Sequence, residues 1–182
     1  MKPTVLLTSG FTRETIQRLR ATWRVVDIEA HGDALEYLKG CDRLPECVVI
    51  GYVPRVEPAF SESASPSSRE PLAAPTMLRR VLGVDADLPV LVSASERHPR
   101  RIVELVKKGA FGYVVEPRDK SDARAVAHYT EELELLVTRA IRWRQTILEN
   151  RRLQQSAEDG ADSLRLVFRS SAMNRVVQLA SK

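Results

Sequence analysis

The sequence predicts an α/β fold: a doubly wound, five-stranded parallel sheet in the order 2-1-3-4-5, followed by an extended C-terminal helix. Three observations carry this expectation. Short apolar runs alternate with segments of helical period through the first two thirds of the chain, the pattern of strand–helix–strand units. One run, Cys47-Val48-Val49-Ile50-Gly51-Tyr52, is apolar at almost every position, as a strand covered on both faces must be. Lastly, an apolar stripe with coiled-coil spacing continues towards the C-terminus, further than a sheet of short strands can cover.

The elements follow in order. Thr4–Thr8 is a buried strand bounded by Pro3 and Ser9-Gly10, and Thr12–Thr22 a helix with Ile16 and Leu19 three apart. Trp23–Ile28 is the second strand. His31-Gly32-Asp33 opens a helix whose stripe is Ala34, Leu35 and Leu38 and whose stop is Gly40. Cys47–Tyr52 is the third strand. The stretch from Pro54 to Pro75 is rich in Pro, Ser and Glu, and residues 55–73 are expected to be a mobile insertion. A short helix at Met77-Leu78-Leu82, a strand at Leu88–Val92, a helix at Arg101–Lys108 and a strand at Gly112–Val115 follow. A polar connection, Pro117–Ala127, leads to a long helix from about Thr130 to Gln155. Right-handed crossovers then give a flavodoxin-like sheet, whose carboxyl ends are Thr8-Ser9, Ile50-Gly51, Ser93-Ala94 and Val115-Glu116.

Composition narrows the function classes. The 182 residues are 43% hydrophobic and 29% charged, which fits a globular chain. No apolar run approaches the roughly 20 residues that cross a bilayer, so the expectation is a cytoplasmic protein without a membrane partner. Cys41 and Cys47 flank a strand and read as structural thiols. The net charge of +4 owes much to Arg139, Arg142, Arg144, Arg151 and Arg152, set against Glu149. With no helix-turn-helix or zinc motif beside it, this run reads as a solvated face and not as a nucleic-acid reader. His31, His98 and His128 have no metal-ligand spacing. There is no Gly-x-Ser-x-Gly elbow, and Thr8-Ser9-Gly10-Phe11 supplies one glycine only. No metal, cofactor or catalytic residue is expected, and the chain is not expected to be an enzyme.

Several segments resemble the bacterial response-regulator receiver domain. They are His31-Gly32-Asp33-Ala34-Leu35-Glu36-Tyr37-Leu38, Leu88-Pro89-Val90-Leu91-Val92-Ser93-Ala94 and, most specifically, Lys108-Gly109-Ala110-Phe111-Gly112-Tyr113-Val114-Val115-Glu116-Pro117. The resemblance implies a phosphoacceptor aspartate ending the third strand and an acidic pair after the first that holds Mg²⁺. It also implies a hydroxyl after the fourth strand and a lysine ending the fifth. Here the acidic pair falls on Thr8 and Ser9. The acceptor falls on Gly51, or on Ile50 if the spacing to Pro54 is followed, and the lysine on Glu116. Only the hydroxyl remains, as Ser93, or Ser95 with a small shift. A hard cation needs oxygen-rich, charged ligands and a phosphoryl group needs fixed positive partners, so this reads as a pseudo-receiver. The alternative acceptors are Asp42 and Glu46, before the third strand, and Asp27, within the second. Tyr113 stands where receivers carry a switching aromatic, and a core tyrosine is the other reading.

In the last helix Leu133, Leu136, Ala140, Trp143, Ile147 and Asn150 follow a/d spacing. The first half of that stripe can pack on the sheet; the distal half needs a partner, and a second copy of the chain is the simplest, as a parallel coiled-coil homodimer. Thr146–Leu153 resembles the linker of NtrC-type sigma-54-dependent transcription activators, and Leu166–Met173 the opening of their AAA+ ATPase domain. The sequence ends before any G-x-x-x-x-G-K-[ST] loop, so the expectation is a chain truncated at the start of that domain. The expected organisation is a receiver-like domain at 1–128, the last helix and coiled-coil linker at 129–155, and a flexible joint with an AAA+ stub at 156–182. The expected role is a phosphorylation-independent module that dimerises and regulates the downstream ATPase. Its input would be a regulatory protein or small molecule at the degenerate pocket. A receiver phosphorylated on a displaced carboxylate and a stand-alone protein–protein adaptor are the alternatives.

Overall fold

The computed structural model describes residues 2–8, 10–52, 74–94 and 99–168, with side chains given for 102–158 of the last stretch. Ser9, Ser95, the 55–73 insertion and the 169–182 segment lie outside the described residues.

Among the described residues five strands, β1 (Thr4–Thr8), β2 (Arg24–Ile28), β3 (Cys47–Tyr52), β4 (Val90–Ala94) and β5 (Gly112–Val115), form one sheet. Its order is β2-β1-β3-β4-β5 and every pairing is parallel. The predicted fold class and strand order are both present. Among the described residues five helices accompany the strands: α1 (Arg13–Thr22), α2 (His31–Gly40), α3 (Ala74–Val84), α4 (Pro99–Lys107) and α5 (Ala123–Phe168).

Strand alternation divides the core into two layers. Leu6, Val48, Ile50, Val90 and Val92 pack with α2, α3 and α4, through Ala34, Leu38, Met77, Leu78 and Leu105 among others. Val5, Leu7, Val49, Leu91 and Val114 pack with α1 and α5, through Leu19, Tyr129, Leu133 and Val137. Each fully buried Leu or Val side chain contributes roughly 1.5–3 kcal/mol. The two-sided burial explains why β3 reads as a continuous apolar run.

Local chemistry sets the boundaries. Thr12 caps α1, its hydroxyl accepting from the Thr15 amide at 3.2 Å. Gly109, at φ +96°, turns the chain out of α4 in the left-handed region that glycine alone enters without strain. A Cβ there would lie 2.9 Å from Leu82 Cδ1. Ala110 is then buried, and the Phe111 amide bonds to the Val90 carbonyl at 2.8 Å to start β5. The Lys-Gly-Ala-Phe motif is therefore the α4–β5 junction, with Gly109, Ala110 and Phe111 each placed by geometry.

The last helix departs from expectation at both ends. It begins at Ala123, inside the stretch read as a polar connection, because Asp122 caps it: its carboxylate accepts from the Arg124 and Ala125 amides at 3.0 and 3.2 Å. It also continues through 157–162, where a flexible joint is expected, and ends at Phe168. Gly160 in a helix interior costs only about 1 kcal/mol relative to alanine. The chain forms two compact units, Met1–Arg144 and Gln145–Lys182. The first exceeds the expected 1–128 because Leu133, Val137, Ala140 and Ile141 belong to its core. Arg144 is only 5% exposed and pairs with Asp85 of the α3–β4 turn, so it does not join the solvated basic face. Among the described residues no helix is long and apolar enough to cross a membrane.

Candidate functional site

The carboxyl ends of the strands bring together part of the expected pocket. Ser93 sits opposite Gly51 in the β3–β4 register, and the Glu116 amide bonds to the Ala94 carbonyl at 2.9 Å, extending the β4–β5 pairing by one residue. Ser93 and Glu116 follow the alternation of Leu91 and Val114, so both are directed to the α1/α5 side. Thr8 and Ile50 follow Leu6 and Val48 to the other side. The sheet thus separates Thr8 from the Ser93–Glu116 pair. Tyr113 is half-buried against the α2/α3/α4 layer.

Glu116 does not stand as a lone anion. Ser93 Oγ donates to its Oε1 at 3.0 Å, and Lys120 Nζ lies 3.2 Å from its Oε2. Lys120 also donates to the Gly10 carbonyl at 3.1 Å, which bridges the β1–α1 and β5–α5 loops. Ser93 Oγ is 2.7 Å from the Tyr129 hydroxyl of α5. A carboxylate can only accept, so Ser93 spends its proton on Glu116 and Tyr129 donates to Ser93. Burial, followed by the charges of Glu116 and Glu132, raises the Tyr129 pKa well above its ordinary value, opposed by the Ser93 hydrogen bond. The phenol therefore keeps its proton. Close by, Thr15 and Thr130 meet at 3.3 Å in the α1–α5 interface.

Two hollows flank this network. A cleft of about 280 Å³ is lined by Val115, Glu116, Pro117, Arg118 and, on α5, Ala125, His128, Tyr129 and Glu132. A much smaller one shares Glu116, Pro117 and Tyr129 with Gly10, Thr12 and Lys120.

On the other side of the sheet, Thr8 Oγ1 is fully buried and makes no hydrogen bond among the described residues. His31, the first residue of α2, is 3% exposed and hydrogen-bonds the Gly51 backbone; burial lowers its pKa, which that bond partly offsets. Thr8, Ile50 and Gly51 contain no carboxylate, and no group of three His, Cys, Asp or Glu that could hold a metal occurs among the described residues. This donor set does not fit the magnesium ion that the resemblance implies, since a hard divalent cation is held by carboxylates.

The alternative acceptors lie elsewhere. Glu46, at the amino edge, accepts from the Thr4 amide at 2.6 Å and pairs with Arg43 at 2.8 Å, while Asp42 is exposed in the preceding turn. Asp27 is exposed in β2, opposite Leu7. Cys47 is buried, with its thiol pKa pushed far up by desolvation, and Cys41 is partly exposed. Along the seam, Leu133 and Ala140 are wholly buried in the first unit, Leu136 packs beside them, and Trp143 is 38% exposed. In the second unit Ile147 is partly covered and Asn150 exposed.

Lys120, Tyr129 and His31 are the site residues that sequence reasoning misses. Lys120 lies four residues after Glu116, a spacing that signals an ion pair only once a turn or helix is known to run there. Tyr129 falls in the segment just before the expected helix start, and His31 reads as one of three scattered histidines.

No protein-family model matches the sequence, and comparison with curated proteins finds no match. Solved structures do match the fold. The chain is similar to an adenylate cyclase from Rhodopirellula baltica, with TM-score 0.61 and 12% identity over 85% of this chain and 98% of that one. It is similar to the signal receiver domain of an HD-domain-containing protein from Pseudomonas fluorescens Pf-5, with TM-score 0.55 and 16% identity over 80% and 99%. It is also similar to the response-regulator domain of Thermotoga maritima CheB, with TM-score 0.56 and 15% identity over 78% and 98%. Sheet order, helix placement and these neighbours together give the chain the fold of a response-regulator receiver domain.

Proposed function

We propose that this protein is a regulatory receiver-type module of bacterial signalling that works without phosphoryl chemistry of its own. The observation that carries the reading is the pairing of Glu116. Where a phosphoryl group would require an ammonium and a free hydroxyl, a carboxylate already takes the Ser93 proton and the Lys120 charge. Thr8 and Gly51 add no carboxylate to accept a phosphoryl group or to hold a divalent cation. The module is not an enzyme in this reading, and it passes its state to other chains through α5.

The distal part of α5 is read as the coiled-coil contact with a second copy. Helical backbone from Gln145 to Phe168 supports that reading. The resemblance of Thr146–Leu153 and Leu166–Met173 to sigma-54 activators assigns the downstream partner as an AAA+ ATPase in transcription, in the cytoplasm. An in-frame phosphate loop soon after Lys182 in the gene is the expected finding. The direct test of the module is incubation with acetyl phosphate, or with beryllofluoride, plus Mg²⁺. The expected result is no mass gain of a phosphoryl group and no Mg²⁺-dependent spectral shift. A stable acyl phosphate on any aspartate or glutamate overturns the proposal in favour of a displaced acceptor.

A further inference from the structure

We propose that residues 117–122 form a strap whose closure, reported by Lys120, is transmitted to the first turns of α5 through Glu116, Ser93 and Tyr129. The strap is ordered at its outer end. Asp119 accepts from the Ser121 amide at 2.8 Å and from the Ser121 hydroxyl at 2.6 Å, and Asp122 then caps α5. Lys120 reaches inward from this turn to the Gly10 carbonyl and to Glu116.

The chain of contacts is graded from solvent to core. The Lys120 side chain is 50% exposed and that of Glu116 10%, while Ser93 is wholly buried and Tyr129 6% exposed. Lys120 is the one cation that pairs with Glu116 among the described residues. A nearly buried carboxylate stripped of its countercharge is strongly disfavoured, so when Lys120 lifts, Glu116 turns to water and releases Ser93. Nothing then fixes the direction of the Ser93–Tyr129 hydrogen bond, because the acceptor-only partner that ordered it has gone. Tyr129 stands nearly two helical turns into α5 and packs with Leu91 of β4 and Val114 of β5, so its anchor loosens with the strap. The cleft of about 280 Å³ beside Glu116 and Tyr129 leaves room for that rearrangement. This goes beyond the functional reading above: it holds for the isolated chain whether or not the protein dimerises or acts in transcription.

Hydrogen exchange followed by mass spectrometry on the full chain tests the coupling. Lys120→Met, at a half-exposed position, is expected to speed exchange of amides 126–133 by about fivefold or more, as a locally destabilised segment would show. Lys120→Arg should restore most of the protection. In a Tyr129→Phe background, which keeps the ring but not the hydroxyl, Lys120→Met should add less than about a twofold change at the same amides. Faster exchange confined to 10–12 and 117–122, with 126–133 unchanged, overturns the proposal. So does an undiminished effect of Lys120→Met in the Tyr129→Phe protein, since the signal would then not pass through that hydroxyl.

Discussion

Trp143 rests against Phe111, their ring centroids 5.5 Å apart and their planes tilted by 51°. Such a pair is worth roughly 0.5–1.5 kcal/mol beyond the area it buries. It also takes one side of a residue that the coiled-coil spacing places in the seam. With Leu133 and Ala140 already in the core, the part of the seam left for a second copy starts at Ile147. The first unit ends at Arg144, so a change at Ile147 can be read for association without disturbing the core.

Ile147→Asp is therefore expected to convert a dimer into a monomer while leaving the thermal midpoint of the domain unchanged. Light scattering at tens of micromolar protein, paired with a melting curve, checks both halves. A wild-type chain that is monomeric under the same conditions removes the coiled-coil contact from the account. A variant that stays dimeric moves the contact to another surface.

Much of the fold was legible because burial on both faces leaves a mark in one dimension. The apolar runs and the turn residues beside them mark β1, β3 and β5 at their observed bounds. The start of α5 is not marked in this way, because Ala123–Ala127 carries a single large apolar residue, Val126, and periodicity has little to register there. The Asp122 cap was the available signal. Contacts between distant residues left no mark at all. Arg144 and Asp85 are 59 positions apart, and a guanidinium within a basic run reads as solvated until the fold delivers its partner. The site was half legible for the same reason: which residues end the strands follows from order, but the side of the sheet each faces, and the arrival of Lys120 and Tyr129, depend on three dimensions.

That buried Arg144–Asp85 pair makes an energetic prediction. Removing one member of a buried ion pair leaves an uncompensated charge and costs about 3–5 kcal/mol, whereas replacing both with apolar groups can be near neutral. Asp85 is 18% exposed at its side chain, which places Asp85→Ala near the lower end, about 3 kcal/mol. The Asp85→Ala/Arg144→Met double variant should be more stable than Asp85→Ala alone. Urea midpoints of the three proteins decide it. A single variant that unfolds at the wild-type midpoint would mean the pair is solvated and α5 is held at this end by packing only.

His31 links stability to pH. Burial lowers its pKa below the ordinary 6.5, with the Gly51 hydrogen bond opposing in part. The folded protein therefore holds the imidazole neutral, while the unfolded chain takes up a proton as pH falls below 6.5. The sign follows: His31's contribution is fully present above the unfolded value. It declines as pH falls towards the lower folded value, and levels off below that, with a slope of at most about 1.4 kcal/mol per pH unit for one proton. His31→Gln keeps an amide donor for the Gly51 carbonyl but has no proton to take up. Between about pH 7.5 and about pH 5.5 the wild-type urea midpoint should fall further than that of the variant. Every other titratable group is common to the two proteins, so the difference between them isolates His31. Equal losses would show that the imidazole charges as readily in the folded state as in the unfolded chain, which its position at the buried start of α2 does not allow.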